Sequence, residues 1–177
     1  MLTNKVLLTG RPGIGKTTAV LRIVNICRTR GIKVGGMVTV EVRVGGVRRG
    51  FKIIDVASGR EGVLARVGSG LRPRIGKYVV NIGDLERVGV TAVLNALDSA
   101  DLVVIDEIGP MELYSERFKN AVKRVFSSDR KAVATLHIRG RRYPIVRRLI
   151  EEGVPVITIT VENRRRVPEE VFRQLFG

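Results

Sequence analysis

Gly10-Arg11-Pro12-Gly13-Ile14-Gly15-Lys16-Thr17 satisfies the pattern GxxxxGK[ST] at each required position. Working outward from it, Lys5 to Thr9 (KVLLT) reads as a short buried strand. From Thr18 to Arg30 apolar and polar residues recur at helical spacing. Strand, glycine loop and helix follow in the order a phosphate-binding loop requires. Glycines let backbone N–H groups converge on a phosphate chain while the positive end of the helix faces the same anion. Lys16 reaches toward the terminal phosphates, and the Thr17 hydroxyl is placed to meet a magnesium ion. The expectation is a chain that binds a nucleoside triphosphate with Mg2+ as cofactor.

A second segment completes this reading. Leu102-Val103-Val104-Ile105-Asp106-Glu107 is an apolar strand ending in two acids, followed by the turn Ile108-Gly109-Pro110. In open α/β sheets ligands collect at the carboxyl ends of the strands, so both acids are expected to face the phosphate loop. Asp106 suits the magnesium-holding role of a Walker-B aspartate, shared with Thr17. Glu107 suits a general base or positioner for an attacking water. An Asp-Glu ending is characteristic of P-loop proteins in which an extra strand separates the phosphate-loop strand from the Walker-B strand. Ala132–Leu136 is then the inserted strand, bringing Thr135 or His137 close to the terminal phosphate. His137 is the only histidine, and a structural hydrogen-bonding role competes with a sensor role for it.

The remaining chain predicts the architecture. Lys33–Val42, Arg49–Val56, Glu61–Val67 and Lys77–Asn81 read as strands, with a hairpin signal at Val44-Gly45-Gly46-Val47 and a Gly/Pro/Arg loop from Gly68 to Gly76. From Asp84 helices and strands alternate: helix to Ala100, strand Leu102–Asp106, helix Ser115–Phe126 and strand Ala132–Leu136. A helix Pro144–Glu152, strand Val156–Val161 and helix Pro168–Phe176 complete the series. The fold class is α/β: one P-loop domain over residues 1–177, with a mostly parallel sheet, helices on both faces and an antiparallel β insertion after the first helix.

Bulk properties restrict the rest. The 177 residues are enough for one well-buried core, and one cysteine with one histidine excludes an internal disulfide and a Cys/His zinc site. No apolar run approaches the roughly 20 residues of a membrane helix, and no signal peptide is expected ahead of the first strand. A cytoplasmic monomer with no membrane partner is expected. The formal charge is +15, and arginine supplies most of it, with runs at Arg139-Arg141-Arg142, Arg147-Arg148 and Arg164-Arg165-Arg166. Two readings of that charge stand side by side. One is an RNA or DNA footprint; the other is a basic proteome whose charge serves polyphosphate attraction. Aromatics are only 5%, so no interleaved aromatic signature accompanies the arginines. Few glutamines and abundant Ile, Val and Arg fit a heat-adapted source.

Taken together, the chain resembles the small thermophile-type nucleoside triphosphatases, a family whose relatives include the human cancer-related nucleoside triphosphatase. The resemblance is carried by GRPGIGKTT at Gly10–Thr18, GGMVTVEVR at Gly35–Arg43 and RRGFKIIDVASGREGVLA at Arg48–Ala65. GKYVVN at Gly76–Asn81, VVIDEIGPMEL at Val103–Leu113 and VENRR at Val161–Arg165 complete it. It implies hydrolysis of the β–γ bond of ATP, GTP, CTP, UTP and TTP with little base preference, and weaker action on diphosphates. It also implies nucleotide contacts along Gly10–Thr17 and along Leu102–Gly109. Lys16 and Glu107 are the expected catalytic residues. Thr39 and Glu41 are expected where the second parallel strand ends, near the γ-phosphate. Asn163 and Arg164, after the last strand, are candidates for base or ribose contacts. A nucleic-acid-associated ATP-binding protein and a small-acceptor kinase are the alternative functions.

Overall fold

The computed structural model describes residues 3–177. Their strands are β1 (Lys5–Thr9), β2 (Val34–Val44), β3 (Val47–Asp55), β4 (Glu61–Val67) and β5 (Arg74–Ile75). They continue with β6 (Tyr78–Val80), β7 (Leu102–Ile108), β8 (Lys131–Leu136) and β9 (Val156–Thr158). Together these form a nine-stranded sheet in the order β5-β6-β4-β3-β2-β7-β8-β1-β9. The helices are α1 (Lys16–Thr29), α2 (Ile82–Asp84), α3 (Thr91–Ser99), α4 (Glu116–Ser127), α5 (Pro144–Glu151) and α6 (Val167–Phe176).

Half of this sheet is parallel. β8 pairs in parallel with both β1 and β7, β9 adds to the other side of β1, and β2 to the other side of β7. The strand Ala132–Leu136 therefore does separate the phosphate-loop strand from the strand carrying Asp106, as expected. These central strands are buried along almost their whole length because helices cover both faces. Val6, Leu8, Val104 and Val133 pack with Val20, Ile23 and Val171 on the α1 and α6 side. Leu7, Val103, Ile105 and Ala134 pack with Val93, Phe118, Val122 and Leu149 on the α3, α4 and α5 side. Helix α4 shows why it lies there: Phe118, Ala121, Val122 and Val125 recur at helical spacing and are all buried. Its start is fixed by Ser115, whose hydroxyl accepts the Phe118 amide at 3.0 Å and donates to Glu86 at 2.8 Å.

The antiparallel half grows from β2. Its first residues run parallel to β7, with Val34 beside Leu102 and Met37 beside Ile105. The strand then continues to Val44 and turns back as β3. The second strand thus does not stop near Val42, because its outer length is paired to β3 rather than ending at a ligand. Arg74–Ile75, inside the expected loop, pairs with Tyr78–Val80 as a short edge hairpin.

Two other elements depart from expectation. The stretch before β7 is helical from Ile82 to Ser99, but Leu85–Val90 is a π turn between α2 and α3. The Thr91 hydroxyl bonds the Glu86 carbonyl five residues back at 3.3 Å, in keeping with the wider turn. The last strand stops at Thr158. Beyond it Thr160 and Asn163 cap each other, the Thr160 amide meeting Asn163 Oδ1 at 2.8 Å and the Asn163 amide meeting Thr160 Oγ1 at 3.3 Å. That pair turns the chain where an extended strand was expected to reach Val161.

Candidate active site

β1 delivers the chain into the loop Gly10–Gly15, and α1 begins at Lys16. Gly15 sits at φ 110°, a conformation that side chains resist, and it swings the chain into the first helical turn. That turn presents Lys16 and Thr17. The Lys16 ammonium donates to the Gly10 carbonyl at 3.2 Å and lies 3.9 Å from Glu107 Oε2. The Thr17 hydroxyl donates to Asp106 Oδ2 at 2.8 Å. The two motifs identified in the sequence thus meet, side chain to side chain.

A plain strand would send Asp106 and Glu107 to opposite faces of the sheet. β7 departs from this with a bulge: Ile105 is paired with Ala134 and Ile108 with Leu136, so three steps on β7 match two on β8 across the acids and the plain alternation is broken there. Asp106 accepts from Thr17 and Glu107 lies beside Lys16, so both carboxylates are on the phosphate-loop side. Asp106 is only 2% exposed and is held from two directions, since Thr135 Oγ1 donates to its Oδ1 at 2.6 Å. Burial pushes its carboxyl above the usual aspartate range; bonds from Thr135, Thr17 and the Thr39 amide, with the charge of Lys16, act the other way. Burial also raises the Glu107 carboxyl, Lys16 pulls it down and Asp106 pushes it up.

Thr135 therefore stands behind Asp106 rather than at an open phosphate position. His137 lies past the end of β8, its Nδ1 accepting the Arg139 amide at 3.1 Å. Partial burial, then the charges of Lys16, Arg142 and Arg139, hold its imidazole below its usual value. Those causes favour the neutral ring, which offers hydrogen bonding rather than charge near Lys16. Thr39 comes near the site through its amide. Glu41 does not: it lies out on the β2–β3 arm and is engaged by Arg43 at 2.9 Å and Arg48 at 3.2 Å. Asn163 spends its side chain on its own turn, also donating to the Thr158 carbonyl at 2.9 Å, which leaves it little to offer a base. Arg164 is exposed beside it.

Sequence reasoning passed over Glu112. It is 3% exposed and opens the short 3-10 turn Glu112–Tyr114. A Cβ at Gly109 would fall 2.7 Å from Glu107 Oε1 and 3.0 Å from Glu112 Oε2, so the absent side chain lets the two carboxyl groups pack over one glycine. Burial first, and then the Glu107 charge, push Glu112 well above the ordinary glutamate range. The available signal was an acid set between Met111 and Leu113, where the pattern is otherwise apolar.

Residues 5–172 match the family profile described as NTPase. The chain belongs to this NTPase family. It is 51% identical to the nucleoside-triphosphatase THEP1 of Thermofilum pendens over 176 residues, covering 99% of this chain and 97% of the relative. With the protein of the same name from Methanosarcina acetivorans it shares 47% identity over 169 residues, 94% of each chain. The crystal structure of THEP1 from the hyperthermophile Aquifex aeolicus superposes with a TM-score of 0.84 at 30% identity, covering 98% of this chain and 99% of that one. The solution structure of a human cancer-related nucleoside triphosphatase gives 0.83 at 33% identity, with 98% of both chains covered. Membership of the family, its enzyme class and its P-loop α/β fold follow, as the resemblance implied. No helix among the described residues is long and apolar enough to cross a membrane.

Proposed function

We propose that the chain is a magnesium-dependent nucleoside triphosphatase that cuts the β–γ bond with low base selectivity. The observation that carries this reading is the joining of Lys16, Thr17, Asp106 and Glu107 across the ends of β1 and β7. The loop Gly10–Thr17 cradles the phosphate chain, and Lys16 meets the oxygens on which charge develops. Leu102–Gly109 supplies the facing wall.

The residues fit a magnesium ion. Thr17 Oγ1 and Asp106 Oδ2 form a pair of hard oxygen donors, and the described residues contain no cluster of three or more His, Cys, Asp or Glu able to cage an ion alone. Magnesium suits such a sparse set because it keeps its waters and leans on substrate phosphates. When bound it neutralises phosphate charge. Thr17 and Asp106 would hold it, with Thr135 keeping the Asp106 carboxylate turned toward Thr17.

Glu107 is the general base or water-positioning group. Burial raises its proton affinity, which suits proton abstraction, while Lys16, 3.9 Å away, favours its charged form. For a loose phosphoryl transition state, positioning and charge neutralisation do most of the work. Low base selectivity is supported by the committed state of Asn163: a site without buried groups aimed at a base edge has nothing to leave unpaired when the base changes.

A phosphate-release panel with ATP, GTP, CTP, UTP and TTP, with and without Mg2+, tests this reading. Catalytic efficiencies should lie within about one to two orders of magnitude of one another and depend on the metal. A preference above roughly a thousandfold for one base would reveal a recognition pocket and overturn the selectivity claim.

A further inference from the structure

Away from the phosphate loop, a cleft of about 670 Å³ opens between the turn Glu112–Tyr114 with α4 on one side and the turn Gly140–Arg142 with α5 on the other. Its apolar lining includes Ile75, Pro110 and Ile145, and two tyrosines, Tyr114 and Tyr143, contribute to its walls. Tyr114 is 49% exposed, and its hydroxyl is loosely placed, 3.5 Å from the Arg74 carbonyl. Cations line the same cleft. Lys119 is paired with Glu116 and Arg148 with Glu152; Lys123 makes no direct ion pair among the described residues, and its charge acts on Glu116, which also lines the cleft. Arg142 leans on Tyr143, its guanidinium carbon 5.1 Å from the ring centroid.

A half-exposed aromatic beside Lys119, Lys123, Arg142 and Arg148, with Glu116 the one acid among the described residues lining the cleft, is suited to a flat aromatic group carrying a phosphate. The positive surface also continues past the cleft. Arg139, Arg141 and Arg147 are exposed and without ion-pair partners among the described residues, so the charge extends further than one phosphate needs. We propose that this cleft and its arginine margin bind single-stranded nucleic acid, one base stacking at Tyr114 and Tyr143 and successive phosphates meeting Lys123, Arg142 and the flanking arginines. Base stacking on an aromatic is tolerant of sequence, and the phosphate contacts make such binding strongly salt-dependent. The cleft borders the hydrolytic site, because Pro110 directly follows Gly109. It contains none of the phosphate-loop residues, so the proposal stands apart from the nucleotide assignment.

The test is fluorescence anisotropy with a labelled oligouridylate of about twelve nucleotides, a length within the usual span of single-strand grooves. The phosphate loop is first filled with magnesium and a non-hydrolysable triphosphate. Binding should be saturable and weaken steeply with added salt. Tyr114→Ala should weaken it about fivefold to a hundredfold, the range for removing one base-stacking aromatic. Lys123→Ala should reduce both affinity and the salt slope. Arg22→Ala, an exposed cation on α1 at the opposite sheet face, should change neither. Hydrolysis of ATP without the strand should be unaltered in the Tyr114 and Lys123 variants. Absence of binding, an equal loss in the Arg22 variant, or displacement by AMP or by polyglutamate as readily as by unlabelled strand would each overturn the proposal.

Discussion

Residue type and spacing single out Lys16, Thr17, Asp106 and Glu107, and the structure brings these four side chains together. What sequence could not convey was their mutual support. Thr135, expected with His137 as the alternative near the terminal phosphate, donates to Asp106, and Glu41, expected near the γ-phosphate, is engaged by Arg43 and Arg48. Both depend on which way a strand residue points, which a local pattern cannot settle. Glu112 offers a prediction at this scale. Its proton affinity is raised in the folded protein relative to the unfolded chain, so the native state binds more protons over the window between the two values. Stability is therefore lost as pH rises from the ordinary glutamate value through the folded one, and regained in acid. Glu112→Gln keeps the shape without the charge. It should be more stable than wild type in urea unfolding at neutral pH, with the gap closing as pH approaches the ordinary glutamate range. A gap that widens toward acid would show the carboxylate to be stabilising.

Among elements, β1, α1, β7 and β8 could be recognised because each carries either a continuous apolar run or a clear helical stripe. The bulge in β7, the π turn at Leu85–Val90 and the small strand at Arg74–Ile75 could not. Each arises from pairing or packing with distant chain, and none has a local sequence period of its own. The bulge matters most, since it falls at Asp106 and Glu107. Just below it β2 and β7 pair closely, with Gly36 opposite Val104. A Cβ at Gly36 would fall 2.0 Å from the Val104 carbonyl oxygen, and its φ of 116° disfavours any side chain. Gly36→Ala should destabilise the protein by about 3 kcal/mol or more, at or above the upper end for overpacking, seen as a lowered urea midpoint. An unchanged midpoint would mean that β2 and β7 are not packed as described.

At the scale of the whole molecule, the parallel half of the sheet carries the residues proposed for hydrolysis, while the antiparallel half extends it beyond β2 without supplying any of them. The charge of +15 acts over the whole surface. It should draw in polyanionic substrates, so kcat/KM for ATP should fall about tenfold or more as salt is raised, the lower end for electrostatic steering, while kcat at saturation changes less. Equal losses in both would place the salt effect in the chemical step. If the phosphate loop and the end of β7 form one hydrolytic site, Glu107 acts on the attacking water. Single-turnover phosphate release by Glu107→Gln, measured beside equilibrium binding of Mg-ATP, decides this. Near-normal binding is expected, with hydrolysis slowed by roughly a hundredfold or more, the contribution of a general base; hydrolysis at the wild-type rate would contradict that role.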